Sequence, residues 1–100
     1  PSLTEEAELV VYRVAQEALT NAMRHSGASR VLVALRSEPT GVLLTVQDDG
    51  RGLPAEQGTG GGLVGMRERA LLIHADLRIE RSRNGGVTVA LMVPEAAMRT

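Results

Sequence analysis

The sequence predicts an α+β fold, a two-layer sandwich in which two helices cover one four-stranded sheet. Three observations lead there. The first part of the chain repeats its apolar residues at helical spacing. Two pairs of short, apolar, strand-like runs follow, separated by a second helical stretch, so the order is helix, strand, strand, loop, helix, strand, strand. At 100 residues the chain suits one domain.

Thr4 is placed to cap the first helix, with Glu5 and Glu6 favouring its first turn. The helix is expected to run to about His25, with Ala7, Val11, Val14, Ala18 and Ala22 on one stripe and Glu8, Tyr12, Gln16 and Thr20 on a polar flank. Ser26-Gly27 ends it, with Gly27 able to take a left-handed cap. Residues 30–36 read as a strand buried on both faces. Glu38-Pro39-Thr40-Gly41 is a turn, and residues 42–48 complete a hairpin. Asp49 to Gly62 is a glycine-rich loop, for which a flexible linker is the plain alternative to a ligand site. Leu63 to about His74 is the second helix, with Leu63, Met66, Ala70 and Ile73 on one face. Residues 76–81 alternate like a half-exposed strand, Asn84-Gly85-Gly86 is a tight turn, and residues 87–93 form the last strand. Pro94 stops it, and the tail to Thr100 is expected to fray.

Composition excludes several classes. With 43% hydrophobic residues but no Phe, no Trp and one Tyr, the core must be aliphatic. A net charge of -1 argues against a nucleic-acid binder. The chain has no Cys and two His, so disulfides are excluded and a structural zinc site is disfavoured. No apolar run approaches a membrane span.

Three constellations could carry chemistry. Glu17, Asn21 and Arg24 lie on one side of the first helix, with His25 beside them. A carboxylate and a carboxamide at that spacing suit a hard cation, and an Arg and a His a turn later suit phosphate oxygens. A solvated polar flank is the alternative. Asp48-Asp49-Gly50-Arg51-Gly52 sits at a strand end, where a carboxylate could accept from a base amine and glycines let a ring approach the backbone; an ordinary Asp-Gly turn is the alternative. Gly58-Thr59-Gly60-Gly61-Gly62-Leu63-Val64-Gly65-Met66 runs glycines into a helix N-terminus, a natural anion site. It is neither a Rossmann fingerprint nor a Walker A motif, because it lacks the preceding strand of the first and the Gly-Lys-Ser/Thr of the second.

Glu17-Ala-Leu-Thr-Asn21-Ala-Met-Arg24-His25 resembles the N box of the GHKL ATPase superfamily, which includes histidine kinases, Hsp90, DNA gyrase B and MutL. Asp48-Asp49-Gly50-Arg51-Gly52 resembles its G1 box, and Gly60-Gly61-Gly62-Leu63-Val64-Gly65 its G2 box. Gly65-Met66-Arg67-Glu68-Arg69-Ala70 and the segment Tyr12 to Glu17 resemble sensor histidine kinases that pair with NarL/LuxR-type response regulators. The resemblance covers residues 3 to 93 and implies the Bergerat fold, an α/β sandwich on a mixed sheet with helices on one face.

It also implies roles. Asn21 would coordinate Mg²⁺ at the ATP phosphates, with Glu17 supporting the metal or its water. Asp48 would bind the adenine amine, and Gly50 and Gly52 would shape the base pocket. Gly60, Gly62, Leu63 and Gly65 would lie near the phosphates, with Arg24 and His25 as phosphate-side contacts. The stretch from Leu53 to Thr59 is short and there is no phenylalanine-bearing F box, both similar to the NarL-paired subgroup. The strand that usually precedes the first helix is expected to be absent, which would expose a sheet edge. Neither His25 nor His74 has the context of a phosphoacceptor, so the acceptor is expected on an upstream dimerisation domain. Residues 1–100 are thus read as the excised, cytoplasmic ATP-binding catalytic domain of a sensor kinase, inactive or very slow alone, without nucleic-acid or membrane contact of its own. The alternatives are another GHKL ATPase, a serine kinase of anti-sigma type, or a degenerate partner-binding module.

Overall fold

The computed structural model describes residues 2–24, 29–50, 61–81 and 86–99. A short strand β1 (Ser2–Leu3) leads into helix α1 (Glu5–Arg24). The hairpin β2 (Val31–Glu38) and β3 (Gly41–Asp48) follows, then helix α2 (Gly61–Leu72). Strands β4 (Asp76–Arg81) and β5 (Val87–Pro94), a single 3-10 turn over Glu95–Ala97 and strand β6 (Met98–Arg99) complete the order.

The main sheet has the order β2-β3-β5-β4. Every pairing in it is antiparallel, so the α+β class is as expected but the sheet is not mixed. Both helices lie on one face. Inward-facing Val42, Leu44 and Val46 of β3 meet Val87, Val89, Leu91 and Val93 of β5 and the α1 stripe of Ala7, Val10, Val14 and Ala18. Met66, Ala70 and Ile73 turn the matching face of α2 into the same core. This alternation is the period-2 and period-3.6 patterning expected of a two-layer packing.

Local chemistry fixes the ends. The Ala7 N–H donates to Thr4 Oγ1 at 3.1 Å, so Thr4 caps α1. At the other end of the chain's helical layer, α2 closes with His74 at φ 55°. There the Ala75 N–H donates to the Ala70 carbonyl at 2.9 Å and the His74 N–H to the Leu71 carbonyl at 3.2 Å, the pattern of a Schellman cap. Gly41, opposite Pro94, has φ 153°, and a Cβ there would fall on the Val93 carbonyl oxygen. Glycine is required at that point of the hairpin.

Four expectations are corrected. The strand expected at 30–36 is an edge strand, with Leu32, Val33 and Leu35 exposed by 64%, 47% and 58%. An apolar run looks the same whether or not a layer covers it, and α1 packs mainly over β3 and β5. A strand does precede the first helix, since β1 pairs with β6. The tail does not simply fray: the Glu95 N–H donates to Thr40, and Ala97 accepts from the Thr4 N–H. Helix α2 starts at Gly61 rather than Leu63, because glycines do not prevent a helix from starting where its later residues are packed. The expected caps at Gly27 and at Asn84-Gly85 lie outside the described residues.

Candidate functional site

The hairpin register pairs Val31 with Asp48, so β2 begins where β3 ends. Helix α1 ends at Arg24, a short connection before β2. Helix α2 begins after the connection that leaves β3, and α1 packs on α2. The C-terminal turns of α1, the end of β3 and the start of α2 therefore gather at one end of the sandwich. These are the three segments singled out by motif.

Asp48 is the last residue of β3 and has the parity of Val42, Leu44 and Val46, so its side chain continues the inward row. It is half-buried. Its Oδ1 accepts from the Gly50 N–H at 2.8 Å and the Val87 N–H at 3.4 Å. The two donors fix the carboxylate between β3 and β5. Its Oδ2 has no partner among the described residues, which leaves one oriented acceptor at the end of the core. Gly50 is buried beside it.

Asp49 points elsewhere. Its Oδ1 accepts from the N–H groups of Ser29 and Arg30 at 2.8 and 2.9 Å, and its Oδ2 from the Ser29 hydroxyl at 2.6 Å. The Ser29 hydroxyl, with the Arg30 N–H, holds the Asp49 carboxyl below its ordinary value. Sequence reasoning assigned Asp49 no role. The hairpin register is the signal that could have found it, since pairing Val31 with Asp48 sets Arg30 against Asp49.

Glu17 and Asn21 are both half-buried, one turn apart on α1 at the margin of the buried Val14–Ala18–Ala22 stripe. Arg24 is the last residue of α1. Its side chain, together with all of His25, Gly52 and Gly60, lies outside the described residues. Gly62 and Leu63 stand in the first turn of α2, where backbone N–H groups lack helical partners and suit an anion. Gly65 lies one turn on. A Cβ there would come within 2.7 Å of the Arg69 guanidinium, which folds back over it. No group of three or more His, Cys, Asp or Glu side chains that could hold a metal occurs among the described residues. A cation at Glu17 and Asn21 would complete its shell with oxygens from water or a bound ligand.

A two-layer sandwich with an oriented carboxylate at a strand end, a polar pair on the neighbouring helix and glycines at a second helix's start is the frame of a nucleotide-binding domain. Residues 6–97 match the histidine kinase-, DNA gyrase B-, and HSP90-like ATPase family, and the chain belongs to it. It is 41% identical over 92 residues to the oxygen sensor histidine kinase NreB of Staphylococcus carnosus, covering 89% of this chain and 26% of that protein. It is 41% identical over 86 residues to the nitrate/nitrite sensor protein NarX of Escherichia coli, covering 83% and 14% respectively. The chain thus spans about a quarter or less of these relatives. Among solved structures it superposes on the ATP-binding domain of PrrB from Mycobacterium tuberculosis with a TM-score of 0.70 at 28% identity, over 93% of this chain and 69% of that one. The histidine kinase domain of a blue-light activated kinase from Erythrobacter litoralis also gives 0.70 at 28% identity, over 89% and 45%. Among the described residues no helix is long and apolar enough to cross a membrane.

Proposed function

We propose that this chain is the ATP-binding catalytic domain, residues 1–100, of a cytoplasmic sensor histidine kinase part. In this reading it binds ATP with Mg²⁺ and holds the γ-phosphoryl for transfer to a histidine on a separate dimerisation domain of the same kinase. The kinase would then serve a NarL/LuxR-type response regulator, as the likeness to NarX and NreB suggests. The observation that carries the reading is Asp48, with Oδ1 tied to two backbone N–H groups and Oδ2 without a partner among the described residues. An amidine-like base edge offers an exocyclic N–H donor that matches such an acceptor.

The other roles follow from position. Gly50 leaves room for a flat ring against the backbone. Glu17 and Asn21 would hold a magnesium ion through their side-chain oxygens. The first turn of α2, with Gly62 and Leu63, offers N–H groups to the phosphates, and Gly65, Gly52, Gly60, Arg24 and His25 complete the set by motif. Bound Mg²⁺ would supply charge neutralisation at the phosphates. The residues of this chain orient the nucleotide, which is most of what phosphoryl transfer asks of a protein.

The test is calorimetric titration of ATP with and without Mg²⁺. Wild type should bind with Kd between about 1 μM and 1 mM, roughly -8 to -4 kcal/mol. Asp48→Asn keeps an acceptor for Gly50 and Val87 but puts a donor where the open oxygen was. It should weaken ATP at least about tenfold with little change in melting temperature. Asn21→Ala should mainly remove the Mg²⁺ dependence. A folded wild type that ignores millimolar ATP would sink the reading.

A further inference from the structure

The sheet has two edges, and they differ. The six-residue β4 carries Asp76, Arg78, Glu80 and Arg81, with Arg78 and Asp76 paired at 3.3 Å. Charges of this density discourage an added strand. The eight-residue β2 runs in unbroken register with β3, without a bulge. Its stretch Val31-Leu32-Val33-Ala34-Leu35 is entirely apolar, and charge stands only towards its ends, at Arg30, Arg36 and Glu38.

The backbone parity of this edge is fixed. The Asp49 N–H donates to the Arg30 carbonyl at 3.3 Å, so even-numbered residues of the strand turn their N–H and C=O towards β3. Val31, Val33, Leu35 and Ser37 turn theirs outward, and the described residues offer them no partner.

We propose that this edge pairs with β2 of a second copy of the chain, antiparallel about a two-fold axis at Ala34, joining two four-stranded sheets into one. A two-fold axis perpendicular to the sheet pairs residues of the same face, so it must pass through a residue position. Centring on Val33 would oppose Arg30 and Arg36. Centring on Leu35 would oppose Glu38 with Leu32 and leave Arg30 without a counterpart. Centring on Ala34 opposes Val33 with Leu35 on the helix side and Val31 with Ser37. It also sets Arg30 against Glu38 at both ends of the outer face. Arg36 already holds Glu38 on that face at 3.4 Å. The outward groups of Val31, Val33, Leu35 and Ser37 would then exchange about eight N–H···O bonds. Exposed Val33 and Leu35 of both copies would meet in one apolar cluster. The strand is complementary to itself in charge, and that selects a second copy as its occupant.

Sedimentation equilibrium of the whole chain without nucleotide, from about 10 μM to 1 mM, tests this independently of ATP binding. Wild type should dimerise with concentration. Arg30→Glu and Glu38→Arg place like charges at both contacts, and each should weaken the dimer about tenfold. An equimolar mixture of these two variants should recover wild-type affinity, because each supplies the other's missing charge, and the double variant should recover it alone. Circular dichroism verifies that each variant is folded. A chain that stays monomeric throughout, a dimer indifferent to the charge changes, or a mixture no tighter than its components would overturn the proposal.

Discussion

Asp48 and Asp49 are adjacent acids with opposite fates, because strand residues alternate faces. Asp48 continues the inward row, and its Oδ2 meets no partner among the described residues, whereas Asp49 spends both oxygens on Ser29 and Arg30. The Ser29 hydroxyl and the Arg30 N–H lower the Asp49 pKa from its ordinary value of 3.8. A carboxyl depressed by folding stabilises the fold fully above 3.8, and that contribution is lost as pH falls through the lower folded value. Asp49→Asn should therefore lower the urea midpoint at pH near 7, and its gap from wild type should narrow as pH falls below 3.8, followed by urea titrations across pH. An unchanging gap would mean that shape, not charge, is what Asp49 contributes. The place of Asp48 at the end of β3 was legible because a strand end, an acid and two glycines coincide in a few residues. Asp49's role was not, because its partner Ser29 is 20 positions away and only the hairpin register brings them together.

Alternation and helical spacing located the elements wherever one face is buried. The half-exposed strand at 76–81 appears as β4, and the stripe through Val14, Ala18 and Ala22 faces the core. The apolar run in β2 misled because hydrophobicity alone does not say whether a layer covers a strand, and Leu32, Val33 and Leu35 are left exposed. The end of α2 was misread by two residues for another reason: its cap depends on a left-handed His74, a residue with no strong turn signature. His74 holds φ 55°, where a Cβ is disfavoured and glycine is at ease. His74→Gly should thus stabilise the domain by about 0.5–1 kcal/mol. For a domain of this size that is a melting temperature higher by roughly 3–8 °C in calorimetry. A fall would show that the His74 side chain itself holds the cap.

The whole molecule is an aliphatic core closed by a small clasp. Met66, Leu91, Val14, Val46 and Val93 are its largest fully buried side chains. The clasp consists of β1 on β6, the Thr4–Ala97 bond and the Glu95–Thr40 bond. Two-residue strands carry no periodicity, so nothing in the sequence announced it. Removing residues 95–100 deletes these bonds and uncovers the start of α1. The expected loss is about 1–3 kcal/mol in urea unfolding, with ATP affinity retained, since the clasp lies beside Thr40 and Thr4 rather than beside Asp48. Equal loss of ATP affinity would show that the clasp and the site are coupled.

That separation puts the clasp and the candidate site at opposite ends of the sandwich. Ser2 lies opposite Arg99, so the two ends of the described chain lie at a single pole, while Asn21, Asp48 and the start of α2 sit at the other, about 24 Å away along α1. Anything fused to either terminus is tethered at the far pole from Asp48 and the start of α2. A domain held this way behaves as a pendulum bob: small rotations at the anchor become large displacements of the Asp48 end. A rotation at that anchor changes the orientation of the domain and leaves its internal shape unchanged.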